Sequence, residues 1–229
     1  MELAKLIDHT FLKAAGEPDA VRKLCREAKR YRFACAMVNP CEVRLAAKLL
    51  AGSGVRVGTV VGFPLGANTI ETKTYEAVSA VKDGALDIDL VVNVRMLKAA
   101  VSDESARRRL GAELAMFDKA VKEADIGVCT KLILECCYLE DEEKVLGCRL
   151  AKAAGFDFVK TSTGFGTGGA TVHDVRLMRK AVGRKAGVKA AGGIRTLEDA
   201  LAMLKAGANR LGCSSGVEIV KASLSASRR

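Results

Sequence analysis

Short apolar runs alternate with helical patterns along almost the whole chain. Several of these runs are apolar at consecutive positions, as expected for strands that are buried on both faces. Eight such strands separated by helices favour an α/β fold with a closed parallel sheet, the (β/α)8 TIM barrel, over an open sheet. The strands are predicted at residues 6–8, 33–38, 55–61, 88–92, 129–135, 158–161, 188–190 and 210–212.

Capping residues separate the strands from the helical segments. Proline, asparagine or threonine stands before the predicted helices and glycine follows several of them, in agreement with common start and stop signals. Helices are predicted at residues 20–31, 41–50, 70–82, 172–182 and 197–205. We therefore expect one barrel domain over residues 1–229, with the polar residues 223–229 as a flexible C-terminal tail.

The composition narrows the class of protein. The chain has 229 residues, of which 49% are hydrophobic, enough for one sizeable core. It shows neither a signal-peptide pattern nor a long uncharged apolar window, so we expect a soluble cytoplasmic protein without a membrane partner. The eight cysteines lack a disulfide framework and are predicted to be reduced, largely as small core residues. With only two histidines and no zinc-like ligand spacing, we expect no metal.

The net charge of +10 raises the question of nucleic acid. However, the 37 basic residues are spread along the chain and aromatic residues make up only 4%, so no basic stripe with stacking side chains is visible. A positive field also attracts small anionic substrates. We therefore expect a small phosphorylated partner, and keep a catalytically silent phosphate- or nucleic-acid-binding barrel as the alternative.

Two lysines carry the most specific chemical signal. Lys160 and Lys189 each end a short apolar strand just before a glycine-containing loop. Burying an ammonium group is costly, so such a lysine indicates a ligand, a partner charge or a reaction that uses the amine. Two converging lysines disfavour each other's protonation, and one can become a neutral nucleophile near pH 7. The sequence therefore predicts a Schiff-base enzyme.

A phosphate site is predicted beside these lysines. Gly192 and Gly193 follow the seventh strand, and Ser214 and Ser215 follow the eighth at a predicted helix start. Paired glycines let backbone N–H groups approach an anion, and a helix N-terminus presents unpaired donors. Alone, the glycine pair could be only a tight turn, but the loops after strands seven and eight are where barrels often bind phosphate.

Eight motifs together resemble one family, the 2-deoxyribose-5-phosphate aldolases, which are class I aldolases on a TIM barrel. They cover nearly the whole chain: Ile-Asp-His-Thr (7–10), Val-Asn-Pro (38–40), Val-Gly-Phe-Pro-Leu-Gly (61–66), Ile-Asp-Leu-Val-Val-Asn (88–93), Lys-Leu-Ile-Leu-Glu (131–135), Val-Lys-Thr-Ser-Thr-Gly-Phe (159–165), Val-Lys-Ala-Ala-Gly-Gly-Ile-Arg-Thr (188–196) and Arg-Leu-Gly-Cys-Ser-Ser-Gly (210–216).

The resemblance implies roles for individual residues. Lys160 would be the Schiff-base nucleophile, Lys189 the lysine that perturbs it and Asp89 the acid/base partner, in a reversible cleavage that needs no cofactor. A homo-oligomer, dimer or tetramer, is also implied. The residues assigned to substrate binding are Asp8, Thr10, Lys131, Gly164, Gly192, Gly193, Ser214 and Ser215. For Lys131, an ion pair inside the barrel with no proton-transfer role is the alternative.

Three positions depart from the family's pattern. Leu86 stands where an acidic residue is usual, Met37 where cysteine is frequent, and Cys136 where threonine often follows the glutamate. These changes affect packing and pocket shape, so they bear on acceptor preference more than on reaction type. His9 is predicted to be a hydrogen-bonded structural histidine, with a catalytic part as the alternative, and His173 a solvated one.

Overall fold

The computed structural model describes residues 3–226. In this part of the chain eight parallel strands close into a barrel, each pairing with the next and β8 pairing with β1. The predicted TIM barrel is thus confirmed. The strands are β1 Ile7–Thr10, β2 Cys35–Val38, β3 Arg56–Val61, β4 Asp87–Val91, β5 Cys129–Ile133, β6 Phe158–Lys160, β7 Gly187–Ala191 and β8 Arg210–Cys213.

Helices surround the barrel, and three have the predicted bounds. The α-helices are α1 Ala20–Tyr31, α2 Val43–Leu50, α3 Ile70–Lys82, α4 Val94–Ala99, α5 Glu104–Ala124, α6 Asp141–Ala154, α7 Val172–Val182, α8 Leu197–Ala206 and α9 Gly216–Ala226. The predictions for α1, α3 and α7 are confirmed residue for residue. The start of α2 was predicted too early, because Pro40–Glu42 forms a separate 3-10 turn.

Side-chain caps explain why the boundaries could be read so well. The Thr171 hydroxyl accepts the backbone N–H of Asp174 at 3.0 Å, and the Thr196 hydroxyl accepts that of Asp199 at 3.1 Å. Such caps satisfy N–H groups that have no partner in the first turn. At the other end, Gly207 has a φ of +116° and terminates α8.

The C-terminal segment differs from the prediction. The polar tail was expected to begin at residue 223, but α9 continues to Ala226. Val217, Ile219 and Val220 are buried against the barrel, so the helix has an apolar face that holds it in place. Residues 227–229 of the predicted tail lie outside the described residues.

The interior of the barrel is divided between apolar and charged side chains. An apolar group formed by Leu12, Cys35, Met37 and Val60 packs against Phe63 and occupies the β2–β3 side. Fully buried aspartates and lysines come from β1, β4, β5 and β7. The larger apolar core lies between the strands and the surrounding helices. No helix within residues 3–226 is long and apolar enough to cross a membrane.

Candidate active site

Asp89 on β4 is the centre of a buried cluster of lysines. Its Oδ2 accepts hydrogen bonds from Lys160 Nζ at 2.9 Å and Lys189 Nζ at 2.8 Å, and Lys131 Nζ lies 3.2 Å from its Oδ1. Asp89, Lys131 and Lys189 are fully buried, and Lys160 is 3% exposed. One carboxylate is therefore shared by three amines inside the barrel.

Strand register brings these residues together. Asp89 pairs with Lys131 on β5, and Lys160 on β6 pairs with Lys189 on β7. Because alternate residues of a strand face the same side, Asp87 also points into the barrel, two residues before Asp89. Asp87 forms ion pairs with Lys131 and with Arg56.

A second carboxylate, that of Asp8, also pairs with Lys189. Asp8 Oδ2 lies 2.6 Å from Lys189 Nζ, and Asp8 Oδ1 accepts a hydrogen bond from Arg210 at 2.9 Å. Gly212 on β8 leaves room for this arrangement, since a Cβ at that position would lie 3.0 Å from Lys189 Cε. Lys131 and Lys189 thus pair with two carboxylates each, whereas among the described residues Lys160 pairs only with Asp89, which it shares with the other two lysines.

This unequal pairing sets the protonation states. Burial alone would raise the pKa of Asp89, but the ammonium groups of Lys131, Lys160 and Lys189 outweigh it and hold that pKa well below its usual range. Burial would lower the pKa of Lys189, but Asp8 and Asp89 raise it. Asp89 is therefore a carboxylate and Lys189 an ammonium near neutral pH.

Lys160 has the opposite shift. Burial lowers its pKa to about 8, and the attraction of Asp89, which opposes this, is offset in part by the charge of Lys189. The prediction that one lysine is driven toward its neutral form therefore has a physical cause, although burial contributes more than repulsion between the lysines. A neutral amine is a nucleophile, whereas an ammonium is not.

Lys160 also opens into a cavity of about 250 Å³ at the carboxyl ends of the strands. Thr10, Gly164, Gly192, Gly193 and Ser214 line this cavity with it, and all five are among the residues for which substrate binding is predicted. The carboxyl ends of the strands are where barrel enzymes bind their substrates.

The loops around the cavity contain glycines with positive φ angles. Gly164, Gly192 and Gly193 have φ angles of +88°, +87° and +80°, in the region that favours glycine. A Cβ at Gly192 would come within 3.0 Å of the Gly169 backbone, so the two loops meet closely there. Ser215 does not line the cavity; its carbonyl accepts the N–H of Ile219 in the first turn of α9.

Two other predicted substrate contacts lie below the cavity. Lys131 and Asp8 are fully buried and contribute nothing to the cavity wall. Burial would lower the pKa of Lys131, but Asp87 and Asp89 raise it well above its usual range. The geometry therefore favours the ion-pair alternative for Lys131, and Asp8 contacts Lys189 instead of the cavity.

The other residues singled out in the sequence do not line the cavity around Lys160, apart from Cys213. His9 Nε2 lies 2.8 Å from Glu27, and burial lowers the pKa of this histidine, in agreement with a structural role. His173 is exposed and lies 2.7 Å from Asp141. Met37 packs inside the barrel, 3.7 Å from the Cys35 thiol. The eight cysteines are free, and five of them are buried.

Several contacts were missed by the sequence reasoning. Asp87 and Arg210 belong to the charged cluster, and each stands two residues before an inward-facing position on its strand. The alternation of side chains along a strand therefore predicts that both residues face the barrel interior. Lys13 and Arg195 add positive charge at the cavity wall, but loop residues have no comparable pattern.

A wider cleft of about 860 Å³ lies at the other end of the barrel. Phe158, Gly187 and Asn209, at the amino ends of strands six to eight, are among its lining residues. The Arg179 guanidinium in this cleft donates to the carbonyls of Gly207, Gly183 and Ala186, so it serves the fold. The cleft holds none of the clustered lysines.

Comparison with known proteins agrees with this geometry. The chain is 57% identical over 222 residues to the deoxyribose-phosphate aldolase of Caldanaerobacter subterraneus subsp. tengcongensis, covering 96% of this chain and 93% of that protein. It is also 57% identical over 222 residues to that of Thermoanaerobacter sp. strain X514, covering 96% of each. The tetrameric deoxyribose phosphate aldolase of Aeropyrum pernix superposes with a TM-score of 0.87 at 33% identity, covering 98% of this chain and 92% of that one. A model of the DeoC/LacD family aldolases matches residues 3–223, and the chain belongs to this family.

Proposed function

We propose that this protein is a deoxyribose-phosphate aldolase, a lyase that reversibly cleaves 2-deoxy-D-ribose 5-phosphate to D-glyceraldehyde 3-phosphate and acetaldehyde. One observation carries the proposal: of the three clustered lysines, Lys160 alone reaches the cavity, and its pKa is lowered to about 8. The relatives that bear this name support the choice of substrate.

The reaction begins with attack of the neutral Lys160 amine on the aldehyde carbon of the open-chain sugar. The resulting carbinolamine loses water and becomes a protonated imine, which is an electron sink. A base takes the proton of the C3 hydroxyl, the C2–C3 bond breaks, and its electron pair moves toward the iminium to give an enamine. Glyceraldehyde 3-phosphate is released. The enamine then takes a proton at C2, and water hydrolyses the imine to acetaldehyde and free Lys160.

Asp89 and Lys189 have complementary roles in this scheme. The Asp89 carboxylate lies 2.9 Å from Lys160 Nζ, where it stabilises the positive charge of the iminium. Acting through water, it accepts protons, while the Lys189 ammonium supplies them. Proton transfer of this kind generally contributes about 10²- to 10⁴-fold to the rate.

The phosphate group would bind at the glycine loops. Gly164, Gly192, Gly193 and Ser214 surround one part of the cavity that contains Lys160. Holding the phosphate there orients the reacting carbons toward the amine, which replaces a random encounter by a positioned one. The lysine supplies the electrophilic activation, so activity is expected to be unchanged by a chelator.

Borohydride trapping tests the proposed function directly. Acetaldehyde followed by borohydride is expected to leave an ethyl group on Lys160, located by peptide mass mapping. Lys73 is a matched internal control that should remain unmodified. Burial also lowers its pKa to about 8, but its side-chain nitrogen donates to the carbonyls of Gly66 and Val91 and lies outside the cavity that contains Lys160. A folded protein without an adduct on Lys160 would contradict the Schiff-base mechanism.

The pH dependence of kcat/KM should follow Lys160. The neutral fraction of this amine grows as pH rises through its pKa of about 8, so kcat/KM is expected to rise over that range. Lys189→Met removes a positive charge that lowers this pKa and leaves Asp8 and Asp89 less compensated. The rising limb should therefore move to higher pH in the variant. A limb that moves to lower pH would show that another group controls it.

Assembly and location are part of the same proposal. Because the relative from Aeropyrum pernix is tetrameric, we expect a homo-oligomer for this chain, which light scattering would measure. We also expect a cytoplasmic location, in agreement with the eight free cysteines. Fractionation of the source cells would test it.

A further inference from the structure

Glu135 is a buried carboxylate that the mechanism above does not use. It lies two residues after the end of β5, is 3% exposed and has a φ of +58°, in the left-handed region that residues other than glycine rarely adopt. Within the described part of the chain, no lysine, arginine or histidine forms an ion pair with it. A carboxylate in such a place needs hydrogen-bond donors.

Thr163 provides two of the hydrogen bonds to Glu135, and the Cys137 thiol donates a longer one to Oε1 at 3.9 Å. The Thr163 backbone N–H donates to Glu135 Oε1 at 3.2 Å, and the Thr163 hydroxyl donates to Glu135 Oε2. The same hydroxyl accepts the backbone N–H of Phe165 at 3.0 Å. Glu135 and the Thr163 hydroxyl therefore hold the loop that follows β6 from Thr163 to Phe165.

Backbone pairing continues from the strands into this contact. The Leu134 N–H donates to the Lys160 carbonyl at 3.0 Å, and the Cys136 N–H donates to the Thr161 carbonyl at 2.9 Å. Glu135 lies between these two bonds. Its left-handed backbone turns the chain here, and its side chain extends the pairing of β5 and β6 to Thr163.

The loop held in this way forms part of the cavity wall. Thr163, Gly164 and Phe165 line the same cavity as Lys160. The loop also folds back over the Glu135 segment, since a Cβ at Gly166 would lie 2.8 Å from Cys137 Sγ. At its far end the Ala170 N–H donates to the Gly192 carbonyl at 3.0 Å, which ties it to the second glycine loop.

We infer that Glu135 is a positioning residue for the phosphate-binding half of the cavity. By engaging the N–H and the hydroxyl of Thr163, it sets the direction of the chain at Gly164 and keeps this loop against Gly192. The inference rests on the proposed function, because it assigns the glycine loops to the phosphate of the substrate. Glu135 touches neither Lys160 Nζ nor the reacting carbons, so it should act on binding of the phosphate ester more than on the chemical step.

Steady-state kinetics on two substrates tests this role. Glu135→Ala and Glu135→Gln are compared with wild type on 2-deoxyribose 5-phosphate and on unphosphorylated 2-deoxyribose. We expect Glu135→Ala to raise KM for the phosphate ester on the order of ten- to a hundredfold, as for loss of a positioned charged contact, with a kcat change of a few-fold. The kcat/KM for 2-deoxyribose should change little. The KM of Glu135→Gln for the phosphate ester should lie between those of wild type and Glu135→Ala, because an amide oxygen can accept a hydrogen bond from one of the two Thr163 donors.

Two controls separate the possible failures. The exposed Glu142→Gln carries the same chemical change outside the site and should match wild type. Thr163→Val removes the hydroxyl partner but keeps the side-chain shape, so it should reproduce the Glu135→Ala effect even if that variant folds poorly. Trapping of acetaldehyde on Lys160 reports an intact reactive amine in each variant.

Each outcome is decisive. An equal loss on both substrates, or unchanged selectivity in folded Glu135→Gln and Thr163→Val, would overturn the inference. A wild-type enzyme that does not prefer the phosphate ester would instead contradict the proposed phosphate site. Retained trapping with lost phosphate selectivity would support the role of Glu135.

Discussion

Replacing Lys160 with arginine is expected to abolish turnover. A guanidinium stays protonated at any accessible pH, so it cannot attack the substrate carbonyl or form an imine. Enzymes typically accelerate reactions by 10⁶-fold or more, and here the covalent step is essential, so kcat/KM should fall by at least about 10⁴-fold. A coupled assay for glyceraldehyde 3-phosphate measures this loss.

The fold should survive the same substitution. Arginine keeps the positive charge that pairs with Asp89, so the far-UV circular dichroism spectrum should remain that of wild type. Lys119→Arg on the exposed face of α5 is the matched control and should retain full activity. Substantial turnover by folded Lys160→Arg would show that another amine carries the chemistry.

Asp89→Asn is expected to have the second largest effect. It removes the carboxylate shared by Lys131, Lys160 and Lys189, and with it the proposed proton acceptor. We expect kcat to fall by about 10²- to 10⁴-fold. Lys160 would lose its carboxylate partner, while Lys131 keeps Asp87 and Lys189 keeps Asp8. Removing one partner of a buried ion pair generally costs about 3–5 kcal/mol of unfolding free energy, which urea denaturation would measure.

The pH profile gives Asp89→Asn a signature of its own. Asp89 raises the pKa of Lys160, so its loss should move the rising limb of the residual kcat/KM to lower pH, opposite to the shift expected for Lys189→Met. Asp83→Asn, which breaks the surface pair with Arg44, should cost less than about 1 kcal/mol and leave activity unchanged. Residual activity near the wild-type level would exclude Asp89 as the proton acceptor.

The barrel could be predicted because its strands and caps are encoded locally. Short runs of consecutive apolar residues between turn signals indicate buried strands. Thr69 and Thr171 each mark a helix start through the side-chain hydroxyl. The C-terminal tail was predicted to begin too early, at residue 223, because serines stand there in the sequence. Residues 223–226 nevertheless continue α9, which is held by its buried apolar residues Val217, Ile219 and Val220.

The reactive residues could also be predicted from the sequence, but the side chains that contact them were harder to predict. Lys160 and Lys189 stand out because lysine at the inner end of an apolar strand is unusual. The contact between Glu135 and Thr163 joins residues 28 positions apart in the segments that follow two different strands, and it depends on a left-handed turn at a residue other than glycine. A local pattern does not encode such a contact.

The depth of a side chain within the barrel was likewise hidden from the sequence. Lys131 and Lys160 both lie on inward-facing strand positions, yet only Lys160 reaches the cavity. Lys131 pairs with Phe158, two residues before Lys160 on the same strand, so it lies one layer deeper. Strand stagger around a closed barrel decides this difference.

Gly212 places a limit on redesign of the acceptor site. This residue lines the cavity, so it is an obvious position for changing which aldehyde fits. Yet the Lys189 side chain occupies the space beside its Cα, within 3.0 Å of where a methyl group would be. A library that varies β8 would displace the ammonium group as it reshapes the pocket, so variants chosen for a new substrate would lose reactivity at Lys160. Changes at the neighbouring Ser214 would instead act on the proposed phosphate site, because this residue lines the cavity beside the glycine loops.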